Sequence, residues 1–417
     1  MNSTDILNDR EKRIENLKNF MKNDLTYFVI KANIPGDNKN IVPSRFLVEY
    51  FFNQIKNKVD IFRNEFFDSM DGPYYLLESN MDIINAKMIG CQLEDNELGR
   101  FIDIDVYKNS IKSISRSEIN IEPRKCFICG ENSAICVRLR KHSYVELMNA
   151  INNSVDKFLY FSLCDLIKDS METELNLDPK FGLVTPKTNG SHKDMNYELM
   201  LDSIDTIAPF IAKMGLIGFR NNIEETYKEI RKIGVSCEKE MFYSSYGINT
   251  YKGLIFALGF VVAAFGNYLQ DFNGTLSDRI KLLAEPLEND FNSFNGVTFG
   301  EKAYLDYQIK GVRGEILNGV FNAFNNLGYL DDLSDECLLN TLIKIISNLE
   351  DTVLLKRCKT IEKYNEVKNM FKDKTYLDAP KLTEMAIKDN LSFGGSADIL
   401  VVTIFLKKVK EIIKYEW

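Results

Sequence analysis

Gly99-Arg100-Phe101-Ile102-Asp103-Ile104-Asp105-Val106 alternates apolar and acidic residues with a period of two. That is the period of a strand, with Ile102, Ile104 and Val106 on one side and Asp103 and Asp105 on the other. Carboxylates two residues apart on one strand face stand about 6.5–7 Å apart, near enough to share a divalent cation. Two like charges held together call for a counter-charge, which makes Asp103 and Asp105 candidate Mg²⁺ ligands. The plainer alternative is an edge strand with a wet face. Arg100, next to the pair, is placed to meet phosphate oxygens.

Upstream of this strand, Tyr27–Ala32 (YFVIKA) is a second expected strand, stopped by the turn signal Asn33-Ile34-Pro35-Gly36. Residues 41–59 carry a helical stripe of Phe46, Leu47, Tyr50, Phe51 and Ile55, and Tyr74–Glu78 reads as a strand after Asp71-Gly72-Pro73. Mixed strands and helices predict an α+β first domain over 1–150.

From Tyr144 the pattern changes. Helical spacing predicts helices over 144–175, 195–218, 222–244, 250–271, 276–291, 300–327, 335–349, 360–373, 380–389 and 395–415. Period-two strands are lacking there, so 151–417 is expected to be an all-α helical domain. No Pro/Gly/Ser linker separates the halves, and the join is expected within a helix near Asn152.

Composition agrees with two domains. The chain has 417 residues, 45% of them hydrophobic and 27% charged, which is ordinary globular material. A net charge of −8 gives no general attraction for nucleic acid or anionic lipid. Phosphorylated ligands must then be held by local cations, helix ends or metals. Met1 to Arg13 offers no signal-peptide core, and the longest apolar run, Leu254–Phe265, is too short to span a bilayer. A cytoplasmic protein without nucleic-acid or membrane partners is expected.

Eight cysteines in so long a chain do not resemble a secreted disulfide scaffold, and three of them cluster. Cys126, Cys129 and Cys136 with His142 form C-x2-C-x6-C-x5-H, with Gly130 freeing the turn. Such a set could surround one tetrahedral Zn²⁺, structural because all four positions would be filled. The alternative is that these are plain small hydrophobes.

In the helical part, Asn189-Gly190-Ser191-His192-Lys193-Asp194-Met195 places a donor, a cation and a carboxylate in one loop before a helix. Ordinary helix capping by Ser191 or Asp194 is the competing reading. Gly247–Gly253 opens the most apolar helix, and Gly394-Gly395-Ser396-Ala397-Asp398 opens the last one. Helix N-termini with glycines can receive phosphate. Lys252, in a first turn, opposes its helix dipole unless an anion joins it. Gly311-Val312-Arg313-Gly314-Glu315 repeats the theme, and Glu350-Asp351-Thr352 adds carboxylates. None of these is a Walker P-loop.

The motifs together resemble two known families. Asp9–Arg13, Pro35-Gly36 with Lys39, Gly72-Pro73, the Gly99–Val106 strand, Ile114-Ser115-Arg116 and the Pro123–His142 segment resemble the citrate lyase holo-acyl-carrier-protein synthase family. This resemblance implies a nucleotidyltransferase-like first domain. It would transfer phosphoribosyl-dephospho-CoA to a serine of the citrate lyase acyl carrier (gamma) subunit and release pyrophosphate. Asp103 and Asp105 would hold Mg²⁺, and Arg10, Lys39 and Arg100 would meet the polyphosphate.

Residues 155–410 resemble the triphosphoribosyl-dephospho-CoA synthase family. The marks are Pro179-Lys180, Gly182–Val184, Gly190–Met195, Glu238 with Met241-Phe242, Gly247–Gly253, Gly311–Glu315, Asp351-Thr352 with Arg357, and Asn390–Asp398. The resemblance implies joining the triphosphoribosyl part of ATP to 3′-dephospho-CoA with loss of adenine. Asp194, Glu315, Asp351 and Asp398 are the expected metal or base carboxylates. His192, Lys193, Lys252, Arg313 and Arg357 are the expected triphosphate contacts, with Gly394, Gly395 and Ser396. Thr185, Tyr251, Val353, Cys358, Lys359 and Phe393 depart from the family pattern. The rivals are an equivalent pair acting on malonate decarboxylase and a zinc-containing nucleic-acid-binding regulator.

Overall fold

Asp103 and Asp105 stay half-exposed on a strand whose Ile102, Ile104 and Val106 are buried, as the alternation requires. The computed structural model describes residues 3–22 and 24–412, which divide into two compact units, Met1–Leu159 and Tyr160–Trp417. The first holds strands β1 (Thr26–Ala32), β2 (Arg63–Phe67), β3 (Tyr74–Ser79) and β4 (Ile102–Tyr107) in the antiparallel order β2-β3-β1-β4. Helices α1 (Ser3–Phe20), α2 (Val42–Lys56), α3 (Ile83–Glu94) and α4 (Ser133–Arg138) accompany the sheet, and α5 (Tyr144–Leu175) contains the division between units.

Register assigns the two faces of the sheet. Lys31 pairs with Asp103, Val29 with Asp105 and Tyr27 with Tyr107, so these share one face. Leu17 and Phe20 of α1 join Tyr27, Val29, Tyr74 and Leu76 in a core on that same face. The opposite face carries Phe28, Ile30, Ile102, Ile104 and Val106, all buried, and α3 closes on it with Gly90 against Ile104. β4 is an edge strand whose free backbone groups are covered from α3. Glu94 accepts from Ile104 N–H at 2.8 Å, and Lys87 donates to the Ile104 carbonyl at 3.2 Å. Covering the edge in this way denies it to another chain.

The second unit is helical throughout its described residues. After α5 come α6 (Tyr197–Arg220), α7 (Ile223–Ser244), α8 (Lys252–Tyr268), α9 (Leu276–Ala284), α10 (Glu288–Asn292), α11 (Phe299–Tyr307), α12 (Gly311–Leu317), α13 (Phe321–Asn326), α14 (Asp335–Asn348), α15 (Thr352–Cys358), α16 (Ile361–Met370), α17 (Ala379–Lys388) and α18 (Gly394–Ile412). The apolar run is α8, buried from Leu254 to Tyr268 except at Phe256. It lies backbone to backbone on α6, where a Cβ on Gly218 would meet the Ala263 carbonyl at 1.9 Å. No described helix is long and apolar enough to cross a membrane.

Two expected helices break up. Residues 300–327 form three short helices, interrupted at Gln308 and Val320, both with positive φ. Residues 276–291 are divided by a 3-10 turn at Glu285–Leu287, where Pro286 supplies no N–H. Strand β2 and helices α1, α3, α4 and α15 have no counterpart among the expected elements. β2 is an exposed edge with no alternation to read, and α15 is only two turns long.

Candidate active sites

In the first unit a knot of cations stands over the Asp103–Asp105 face. Asp71, on the turn before β3, takes Arg10 at 3.2 Å, Arg13 at 2.6 Å and Lys39 at 3.0 Å. Burial pushes the Asp71 carboxyl up, yet Arg13 and Lys39 outweigh it and hold it below the usual carboxylate range. One buried carboxylate thus gathers three cations from α1 and the β1–α2 loop. These residues line a cavity of about 260 Å³ with Lys31 and Asp103.

Asp103 and Asp105 already have a counter-charge that the sequence did not announce. Lys31 Nζ lies 3.8 Å from a carboxylate oxygen of each, directly across the β1–β4 ladder. Arg124 also pairs with Asp103, and it donates to the carbonyls of Gly99, Arg100 and Ile102. Arg100 turns away from this cavity. It lines a neighbouring one of about 790 Å³, together with the cysteine cluster.

Cys126, Cys129, Cys136 and His142 do converge, with ligand atoms all within 4.8 Å of one another. Cys126 Sγ is 3.3 Å from His142 Nε2, and Cys129 Sγ is 3.4 Å from Cys136 Sγ. Burial pushes the Cys126 thiol up, but backbone N–H groups of Cys129 and Ile128 more than offset it, bringing it to about 7. Gly130, with φ +74°, makes the turn between the first two ligands and the rest.

In the second unit a cavity of about 640 Å³ collects His192, Asp194, Lys252, Arg357, Gly394 and Asp398 from four separate stretches of chain. Arg357 Nη2 lies 3.4 Å from His192 Nδ1, and Ser392 Oγ lies 3.1 Å from Nε2. A guanidinium only donates, so Nδ1 accepts and Nε2 carries the proton. Burial, reinforced by Arg357, lowers the His192 pKa and keeps the ring neutral. Lys252 Nζ pairs with Glu238 at 2.8 Å at the α8 N-terminus.

Deeper in the cavity, Asp398 stands against Gly253, where a Cβ would meet its Oδ2 at 2.3 Å. Burial, with the charges of Asp351 and Glu174, holds the Asp398 carboxyl well above its usual range. The Tyr251 phenol beside it is buried with no hydrogen-bond partner among the described residues. Lys180 is also buried here. Its Nζ stands 2.9 Å from Glu174 Oε1 while donating to the Glu174 carbonyl at 2.8 Å.

Several expected residues lie elsewhere. Asp351 is buried beneath the cavity as a cap. One oxygen accepts from Val353 and Leu354 N–H at the start of α15, and the other from Ser396 N–H and Oγ at the start of α18. The anion at the α18 N-terminus is therefore Asp351, and Ser396 is engaged with it. Gly395 leaves room for that carboxylate, since a Cβ there would meet Asp351 Oδ1 at 2.9 Å. Glu315 is buried and accepts from Asn322 N–H at 2.6 Å and Nδ2 at 2.8 Å. Arg313 lines a separate small cavity with Arg231 and Glu238, and pairs with Asp290 at 3.4 Å. Lys193 is exposed outside the cavity lining. Among the family departures, Tyr251 and Val353 line the cavity, whereas Thr185 is buried against Asp178.

Sequence comparison accounts for both halves. Residues 1–158 match the family model of apo-citrate lyase phosphoribosyl-dephospho-CoA transferase, and residues 161–416 that of ATP:dephospho-CoA triphosphoribosyl transferase. The chain is 30% identical to Protein CitXG of Leuconostoc mesenteroides subsp. cremoris, over 98% of this chain and 97% of that protein. It is also 30% identical to Protein CitXG of Haemophilus influenzae, over 80% and 78%. A probable 2-(5''-triphosphoribosyl)-3'-dephosphocoenzyme-A synthase of Lactiplantibacillus plantarum is 33% identical, over 56% of this chain and 91% of that protein. The chain belongs to the fused family in which an apo-citrate lyase phosphoribosyl-dephospho-CoA transferase precedes an ATP:dephospho-CoA triphosphoribosyl transferase.

Proposed function

We infer that the chain is a bifunctional transferase that makes and attaches the prosthetic group of citrate lyase. The observation that carries this is the order and completeness of the two family matches, each over a unit with its own cavity lined in part by charged side chains. The second unit takes ATP and 3′-dephospho-CoA, forms triphosphoribosyl-dephospho-CoA and releases adenine. The first unit passes phosphoribosyl-dephospho-CoA to a serine of the citrate lyase acyl carrier subunit and releases pyrophosphate. The cytoplasm, where ATP is available, is the proposed compartment.

Attack on an α-phosphate is mainly a matter of positioning and charge stabilisation. In the first unit we assign Arg10 and Lys39, with Arg13 and Lys31, to the departing pyrophosphate. Asp71 holds these side chains in place before the anion arrives. Asp103 and Asp105 are the assigned Mg²⁺ ligands, and the metal supplies charge neutralisation of the polyphosphate when bound. Their exposure on one strand face fits that role, and Lys31 between them can move to a phosphate oxygen. We assign Cys126, Cys129, Cys136 and His142 to one structural zinc. Their mutual distances, all within 4.8 Å, suit a tetrahedral set of soft ligands.

In the second unit Lys252 and Arg357 are the assigned triphosphate cations, at the mouth of the cavity. Loss of adenine from a ribosyl carbon needs a proton for the leaving base and a carboxylate to orient the incoming hydroxyl. Asp398, whose carboxyl burial holds up, is the assigned proton carrier, and the exposed Asp194 the assigned hydroxyl partner. Incubating the chain with ATP and 3′-dephospho-CoA and measuring free adenine by mass spectrometry tests this half. Adenine equal to the dephospho-CoA consumed is expected, and none would refute it.

A further inference from the structure

We propose that the cavity of about 790 Å³ beside the Cys-His cluster seats the dephospho-CoA half of the first unit's substrate. This rests on the reading of that unit as the transferase, and adds where the large organic part of the substrate lies.

Size is the first ground. A cavity of this volume falls within the range of about 300–1,000 Å³ typical of small-molecule sites, and far exceeds what a pyrophosphate occupies. Continuity is the second. Asn33 lines both this cavity and the cationic one, and Arg124 reaches from its wall to Asp103. A ligand filling both would place its phosphates at the Asp103 junction.

The lining completes the match. Arg100 and Arg140 bring guanidiniums, which suit phosphate oxygens. Burial lowers the Arg100 pKa, and the nearby charge of Arg124 adds to it, a crowding of like charge that a phosphate relieves. Phe127 and Tyr144 bring aromatic faces, and the Tyr144 side chain is 53% exposed although it faces the cavity. Gly36, with φ +86°, lets that ring lie on the backbone, since a Cβ there would sit 2.6 Å from Tyr144 Cε2. A ring so backed is a platform for the adenine that dephospho-CoA keeps. Val137 and Leu147 supply apolar surface for the pantetheine arm.

The test uses the full chain, the apo-carrier subunit and pre-made triphosphoribosyl-dephospho-CoA, with 3′-dephospho-CoA or pyrophosphate as inhibitor. Tyr144→Ala should raise the inhibition constant of dephospho-CoA about ten-fold or more, the size of losing one stacking platform. The pyrophosphate constant should stay within about two-fold, and Tyr144→Phe should behave as wild type. Val137→Asp changes a position that is 77% exposed, where folding is not at stake, and should also weaken dephospho-CoA alone. Unchanged dephospho-CoA inhibition in both Tyr144→Ala and Val137→Asp overturns the assignment, as does wild-type transfer that dephospho-CoA does not inhibit. A wild-type chain that modifies no carrier would instead remove the functional reading on which the assignment rests.

Discussion

The Asp351 carboxylate accepts from both the backbone N–H and the hydroxyl of Ser396, at 2.8 and 2.9 Å, while its other oxygen caps α15. One buried anion thus serves the positive ends of two helices that bound the second unit's cavity. Both oxygens of Asp351 are engaged by protein donors at these two helix starts.

Asp351→Asn keeps the cap on α15 but turns an NH2 toward the Ser396 donors. Leaving buried donors unmatched costs about 1–3 kcal/mol, so the second unit should melt several degrees lower. A metal ligand at this position would instead show wild-type melting in the mutant and loss only of metal-dependent activity. Thermal melting without ligand separates the two.

Lys252 carries two opposing local effects. Its charge at the start of α8 costs roughly 0.3–1 kcal/mol, and its half-exposed pair with Glu238 returns about 0.2–1 kcal/mol. Lys252→Met should therefore leave ligand-free stability unchanged within about 0.5 kcal/mol. The stabilisation that Mg-ATP gives the wild type should shrink, and adenine release should slow. Full ATP stabilisation in the mutant would show that the triphosphate sits elsewhere.

Much of this was legible in the chain itself. The Ile-Asp alternation predicted both the strand and the face that carries Asp103 and Asp105, because period two leaves no other side for them. The four ligands of the cysteine cluster come from one short stretch, so spacing alone could bring them together. Lys31 and Asp71 were not legible as neighbours of Asp103. Their partners lie across a ladder or at distant positions, and pairing register is not written in local pattern. Glu315 looks like a site carboxylate in sequence because it follows Gly311 and Gly314, and Asp351 because it stands beside Glu350. Only the fold reveals that their oxygens already accept backbone and amide hydrogens.

The purified protein should hold one zinc per chain. Elemental analysis is expected to return a one-to-one ratio, and Cys129→Ser should lower zinc occupancy and the melting temperature of the first unit together. Full transfer activity in a zinc-free preparation would remove zinc from the account.

Glu49, buried in the first unit, accepts from the Tyr75 hydroxyl at 2.7 Å. Burial raises its carboxyl from 4.5 to about 7, only partly offset by Tyr75. The folded state therefore holds this proton more tightly than the unfolded chain. Its stabilising contribution is complete below pH 4.5 and is lost as pH rises through about 7. At roughly 1.4 kcal/mol per pKa unit the whole effect is on the order of 3 kcal/mol. Glu49→Gln should flatten that slope, so its melting temperature relative to wild type should rise between pH 5 and pH 8. A wild-type-like slope in the mutant would remove Glu49 as its source.

The two-site reading is tested most directly by the intact mass of the apo-carrier subunit after incubation with the full chain, ATP, 3′-dephospho-CoA and Mg²⁺. The carrier should gain one phosphoribosyl-dephospho-CoA group, with one adenine and one pyrophosphate released. With Asp103→Asn the carrier mass should stay unchanged while adenine is still formed at the wild-type rate. An unmodified carrier with the wild-type chain, or adenine release that disappears along with transfer in Asp103→Asn, would contradict two separate active sites in one chain.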